Sequence, residues 1–147
     1  MKFLADTMLG RLAKWLRLLG YDTAYRPELD DAALARLARV EQRVLLTRDM
    51  ELTRRRGVPN VLIASDKTTE QLAQVFRELR LHAREAFTRC AECNVRLKAI
   101  DRDEAKARVP RYVWETQSRF RACPRCQRVY WRGTHWARIL AQLEDLR

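Results

Sequence analysis

Three aspartates stand directly after three short apolar runs. Lys2-Phe3-Leu4-Ala5 leads into Asp6, Arg43-Val44-Leu45-Leu46-Thr47-Arg48 into Asp49, and Val61-Leu62-Ile63-Ala64-Ser65 into Asp66. Runs of this length and composition read as β-strands, and helical patterns separate them, so the strands belong to one parallel sheet. In an open parallel sheet, ligands bind in the crevice outside the carboxyl ends of the strands. Three carboxylates delivered there repel one another unless a cation sits among them, and hard Mg²⁺ or Mn²⁺ suits oxygen ligands. Taken singly, each aspartate also fits a helix N-cap. Three in the same strand-end position favour a metal centre. A full two-metal site needs a fourth carboxylate, for which Glu28, Asp30 and Asp31 compete. One of the adjacent aspartates is expected to cap the following helix, leaving the other to reach the centre.

A second constellation lies further along. Cys90-x-x-Cys93 and Cys123-x-x-Cys126 flank a 29-residue interval. Each C-x₂-C forms a knuckle that presents two sulfurs to one ion, and two knuckles complete a tetrahedral S₄ zinc site with Zn–S of about 2.3 Å. The interval exceeds the usual spacing of about 15–20 residues, so the intervening chain must carry a hairpin and a helical turn over 103–108. Four thiolates leave no open coordination position, which makes this zinc structural. Two disulfides or a redox pair fit less well. The N-terminus runs through Lys2 straight to Asp6 and a basic helix, unlike a signal peptide, so a cytoplasmic chain with reduced thiols is expected. Trp131 and Trp136 read as hydrophobic support for a small ribbon; His135, beside a complete Cys₄ set, is not needed as a ligand.

The elements that position these residues follow from periodicity. Leu9, Leu12, Ala13, Trp15, Leu16 and Leu19 share one side of a helix that Gly20 ends. A short strand over 21–25 follows, then a helix opened by Asp30-Asp31, the Val44–Thr47 strand, and a short basic helix through Arg54, Arg55 and Arg56 closed by Gly57. After the strand over 60–65, Thr68 and Gln71 read as a capping box for a helix reaching Leu79. Residues 82–87 read as a fifth strand or a link. From Cys90 short segments replace helices, and three of the four tryptophans lie there. The division is a three-layer α/β domain over 1–87 and a zinc ribbon over 88–147. On this division, losing zinc should unfold the ribbon and leave the first domain intact.

The chain has 147 residues, 30 Lys+Arg against 19 Asp+Glu, and net charge +11. Residues 1–87 contribute +4 and residues 88–147 contribute +7. Positive charge over both halves suits a polyanion, most commonly nucleic acid. The face formed by Arg11, Lys14 and Arg17 begins one turn beyond Asp6, and Arg48, Arg54 and Arg55 stand near the same sheet edge, so these residues are candidate contacts to a phosphate backbone. Apolar runs of only a few residues exclude a membrane span.

Together these residues resemble the Mut7-C family of PIN-like ribonucleases. The matching stretches run from Phe3-Leu4-Ala5-Asp6 through Met8-Leu9-Gly10-Arg11-Leu12-Ala13-Lys14-Trp15-Leu16-Arg17-Leu18-Leu19-Gly20-Tyr21-Asp22-Thr23, then Val44-Leu45-Leu46-Thr47-Arg48-Asp49 and Glu70-Gln71-Leu72. The cysteine knuckles and Tyr130-Trp131-x-Gly133-x-His135-Trp136 match as well. The resemblance implies a PIN-like parallel sheet with a zinc ribbon attached, and metal-dependent cleavage of single-stranded RNA. It further implies Asp6 as first metal ligand, Asp30 or Asp31 as the second acid where PIN nucleases often have Glu, Thr47 with Asp49 as the third motif, and Asp66 as the fourth. The alternative reading is a zinc-ribbon RNA-binding or adaptor protein with an inactive acidic centre.

Overall fold

The computed structural model describes residues 1–83 and 85–144. Strands β1 (Phe3–Ala5), β2 (Thr23–Tyr25), β3 (Val44–Thr47) and β4 (Asn60–Leu62) form one parallel sheet in the order β2-β1-β3-β4. Helices α1 (Gly10–Leu18), α2 (Asp31–Glu41), α3 (Met50–Thr53) and α4 (Thr68–Leu79) connect and follow the strands. Strand side chains alternate between the two faces. Phe3, Ala5 and Leu46 pack with Leu12 and Leu16 of α1 and with Leu72, Val75 and Phe76 of α4. Leu4 and Leu45 point the other way, onto Leu34, Ala35 and Ala38 of α2 and Leu52 of α3. Burial on both faces explains why the strand sequences are almost continuously apolar. The strand order reverses between β1 and β3, so the crevice at their carboxyl ends is the topological switch point.

Several local readings change. Residues 54–56 lie outside α3, which ends at Thr53. The capping box at α4 does not form: Lys67 is the N-cap, without a side-chain cap bond. Instead the Lys67 amide donates to Ser65 Oγ (3.0 Å) and Gln71 Nε2 donates to the Ser65 carbonyl (2.8 Å). No strand forms over the described residues of 82–87; that link crosses the end of α1, where the Phe87 amide donates to the Leu18 carbonyl (2.6 Å). Gly20 follows α1 with φ +98°, and a Cβ there would lie 2.5 Å from the Glu85 carbonyl oxygen in the same link. Left-handed backbone and close approach together require glycine.

The cysteine region is a three-stranded antiparallel sheet, β5 (Lys98–Ile100), β6 (Phe120–Ala122) and β7 (Val129–Tyr130), in that order. The expected turn appears as α5 (Arg102–Lys106), joined by a further helix, α6 (Arg111–Thr116). The last described element is α7 (Thr134–Glu144), a helix not expected from the sequence although Trp136, Ile139, Leu140 and Leu143 keep helical spacing. Ile139 and Leu143 of α7 are buried in the core of the first sheet. Trp136 packs on Trp15 and Phe87, with ring centroids 4.9 and 4.1 Å away. Packing therefore crosses the boundary drawn near Phe87. Among the described residues, no helix is long and apolar enough to cross a membrane.

Candidate active-site edge and metal centre

Asp6 follows β1 directly, and its amide still donates to the Leu46 carbonyl of β3 (3.0 Å). Its Oδ1 accepts from the Thr7 amide (2.6 Å), and its Oδ2 accepts from the Thr47 hydroxyl (2.8 Å). The same Thr47 oxygen accepts from the Asp49 amide (3.0 Å), while Asp49 Oδ1 accepts from the Glu51 amide (2.9 Å) and caps α3. Thr47 is completely buried, so one fixed hydroxyl ties Asp6 to the backbone of Asp49 across the switch point. Spacing alone carried no sign of this bridge; Thr47 entered only through the family resemblance.

The remaining acids stand further out. β4 ends at Leu62, and 63–65 separate it from Asp66, which is exposed. That loop is pinned by α4: the Ala64 amide donates to Gln74 Oε1 (2.9 Å), and Gln74 Nε2 donates to the Leu62 carbonyl (2.8 Å). Asp30 caps α2 by accepting from the Ala33 amide (2.8 Å), which leaves Asp31 uncommitted. Among the described residues, the four cysteines are the only His, Cys, Asp or Glu group of three or more whose ligand atoms all lie within 4.8 Å of one another. The aspartates thus share an edge and do not converge on one point. Mg²⁺ is commonly bound through one or two carboxylates with water completing its shell, and Asp6 and Asp49 are the two acids that the Thr47 hydroxyl links.

The cysteines do converge. Cys90 and Cys123 are fully buried, and Cys90 Sγ lies 3.6 Å from Cys126 Sγ, close to the roughly 3.8 Å edge of a tetrahedron with 2.3 Å Zn–S bonds. Both knuckles are built alike: Asn94 and Gln127, each just after the second cysteine, take φ of 63° and 67°. Their amides donate to the carbonyls of Cys90 (3.0 Å) and Cys123 (2.9 Å). The amides of Cys93 and Cys126 point at Cys90 and Cys123 Sγ, both at 3.4 Å, and the Tyr130 hydroxyl lies 3.2 Å from Cys90 Sγ. Burial, then the crowded neighbouring sulfurs, push the Cys93 thiol up to about 12; a cation among the sulfurs removes that cost. The donor set fits Zn²⁺ and leaves no open position. His135 takes no part and sits edge-on to Trp15 at 5.9 Å.

The basic residues divide. Arg17 is half-buried and engaged: Nε donates to the Thr23 carbonyl (2.8 Å), and Nη1 to the carbonyls of Ala91 (2.8 Å) and Glu92 (3.3 Å) in the first knuckle. Burial lowers its pKa, against an opposing pull from Glu92. Lys14 pairs with Glu92 at 3.0 Å. Two of the three residues of the expected phosphate-binding face, Lys14 and Arg17, therefore engage the first knuckle, and Arg17 ties it to β2. Asn94 completes the joint, accepting from the Thr23 amide (3.1 Å) and donating to Asp22 Oδ1 (2.7 Å), which Arg43 also contacts (2.9 Å). Burial opposes the Asp22 charge, but these hydrogen bonds outweigh it and hold the carboxyl below its usual range. Of the other candidates, Arg54 pairs with Glu51 at 2.9 Å, Arg11 and Arg55 are exposed, and Arg48 Nε is buried without a partner among the described residues.

Arg17→Gln should accordingly lower stability by about 2 kcal/mol, the worth of hydrogen bonds from a charged group to partly buried carbonyls, in urea titration. If stability holds and only RNA affinity falls, Arg17 belongs to the nucleic-acid surface after all.

The family model of the Mut7-C RNAse domain matches residues 1–143. No curated protein and no solved structure matches the chain.

Proposed function

The chain belongs to the Mut7-C RNase family, and from that premise we propose that it cleaves single-stranded RNA internally, using Mg²⁺ or Mn²⁺ held at the carboxyl ends of β1 and β3. The observation that carries this reading is the Thr47 hydroxyl joining Asp6 Oδ2 to the Asp49 amide at the switch point. Asp6 and Asp49 would hold the ion, with Asp66 and Asp31 adding negative charge along the same edge. An ion bound there supplies Lewis acidity and an activated water for in-line displacement at phosphorus, giving 5′-phosphate and 3′-hydroxyl ends.

The chain's own contribution is positional. The buried Thr47 hydroxyl holds the Asp6 carboxylate in one orientation, and the Glu51 amide does the same for Asp49. The α4 glutamines hold the loop that carries Asp66. Arg11, Arg48 and Arg55 bring the phosphate backbone to this edge, a contact that fixes register without reading sequence. The zinc ribbon keeps β2 and α1 in place through Arg17 and Asn94 and adds positive charge.

Incubation of dialysed protein with end-labelled single-stranded and duplex RNA should give internal cleavage of the single strand only when Mg²⁺ or Mn²⁺ is added. Equal cleavage without divalent ion, or of the duplex alone, counts against the reading.

A further inference from the structure

A cavity of about 240 Å³ opens where the ribbon meets the link between the two halves. Its lining includes Phe87, Arg119, Arg121, Tyr130, Trp131 and Arg132, and no carboxylate among the described residues. None of the aspartates of the candidate active site lines it. The Phe87 amide bonds to Leu18, the last residue of α1, whereas Asp6 precedes the start of α1. The nine residues of α1 span about 13 Å, so the cavity lies at the opposite end of that helix from Asp6.

We infer that this cavity is a binding subsite for one nucleotide of single-stranded RNA, several positions away from the scissile phosphate. The inference rests on the chain acting on RNA as proposed above. Three properties suit that ligand. First, the charged groups of the lining are all arginines. Arg119 makes no hydrogen bond or ion pair with the described residues, while Arg121 and Arg132 are steadied by the carbonyls of Phe87 (2.7 Å) and Ala86 (3.3 Å). The latter two are thus held at the rim, with further N–H groups open to a phosphate.

Second, the aromatic rings are rigid. Trp131 packs against the cluster of Ala105, Val113 and Phe120, and Phe87 is wedged between Trp136 and the Arg132 guanidinium, which lies 5.4 Å over its ring. Phe87 is buried between those groups and serves as the floor, whereas the half-buried Trp131 ring offers stacking surface to a base at little ordering cost, and stacking tolerates any base. Third, the volume is that of a small site, too small for a folded protein element, and its lining mixes aromatic and cationic groups as a nucleotide's base and phosphate require. The length of α1 separates the cavity from Asp6 by a few nucleotides of extended strand.

The test is binding of a short fluorescent single-stranded oligoribonucleotide, read by anisotropy without added divalent ion over a series of KCl concentrations. Arg119→Glu should weaken binding about tenfold and reduce the salt slope by about one, as expected for a lost phosphate contact. Arg36→Glu makes the same change of charge on the exposed side of α2, across the sheet, and should weaken binding less than about twofold through the screened long-range field. Trp131→Leu should weaken binding with an unchanged salt slope, the mark of lost stacking. Equal effects of Arg119→Glu and Arg36→Glu, or no effect of Arg119→Glu, overturn the subsite. Cleavage is not read in this assay, so an inactive acidic edge leaves its outcome interpretable. Conversely, cleavage that persists in Arg119→Glu at saturating RNA leaves the catalytic reading standing.

Discussion

Cys90→Ser is expected to reduce zinc in the purified protein from about one ion per chain to none, and to unfold more than the ribbon. Cys90 Sγ is fully buried, and the amide of Cys93 and the hydroxyl of Tyr130 both point at it. A serine oxygen is shorter and a poor zinc ligand. Structural zinc contributes about 10–16 kcal/mol of apparent folding free energy in small modules, as much as the whole stability of an ordinary domain, about 5–15 kcal/mol. From the sequence, the damage should stop at the domain boundary. The structure predicts otherwise. The first knuckle supplies acceptors to Arg17 and Asn94 to the edge of β2, and α7 delivers Ile139 and Leu143 to the core beneath α4. Losing those two apolar side chains alone removes at most about 3–6 kcal/mol of burial. Hydrogen exchange at Leu4 and Leu46 should therefore accelerate in Cys90→Ser along with exchange in the ribbon. Retained protection of those sheet amides, with the ribbon unfolded, would restore the sheet as an independent unit.

Asp49→Asn separates a metal ligand from a helix cap. Asn caps a helix nearly as well as Asp, so the bond to the Glu51 amide survives and stability without divalent ion should stay within about 0.5 kcal/mol of the parent or rise slightly. A carboxylate that anchors the ion is different. Cleavage should fall by about a thousandfold or more, because several kcal/mol of charge stabilisation at the transition state disappears, each 1.4 kcal/mol being roughly tenfold in rate. Mn²⁺ at about a hundredfold excess over its dissociation constant should stabilise the parent by about 2.7 kcal/mol and the variant far less. Asp6→Asn should behave likewise in cleavage, with an additional change in its bond to Thr47. Equal stabilisation by Mn²⁺ in parent and Asp49→Asn, with cleavage intact, returns the aspartates to their capping role and leaves the RNA-binding adaptor as the better description.

What the chain states by itself is local. Apolar runs ending in aspartate, a helical stripe from Leu9 to Leu19, and two C-x₂-C pairs are patterns of neighbours, and the period of a strand or helix is visible in them. They were enough for a parallel sheet with Asp6 and Asp49 at its carboxyl edge and for the four sulfurs that converge. The tertiary structure decided which of those residues were still available. Arg17 and Lys14 have the spacing of a solvated basic face, yet they meet carbonyls and a carboxylate more than seventy residues away, and nothing in their own helix signals it. Asp30 and Asp31 are adjacent and alike, and only the start of α2 assigns the cap to Asp30. The stripe of α7, Trp136, Ile139, Leu140 and Leu143, is visible in the sequence, but that it packs against α1 and α4 and not on the ribbon that precedes it is not. Periodicity records which side of an element is apolar; the partner for that side, and for each charge on the other, exists only once distant segments have been brought together.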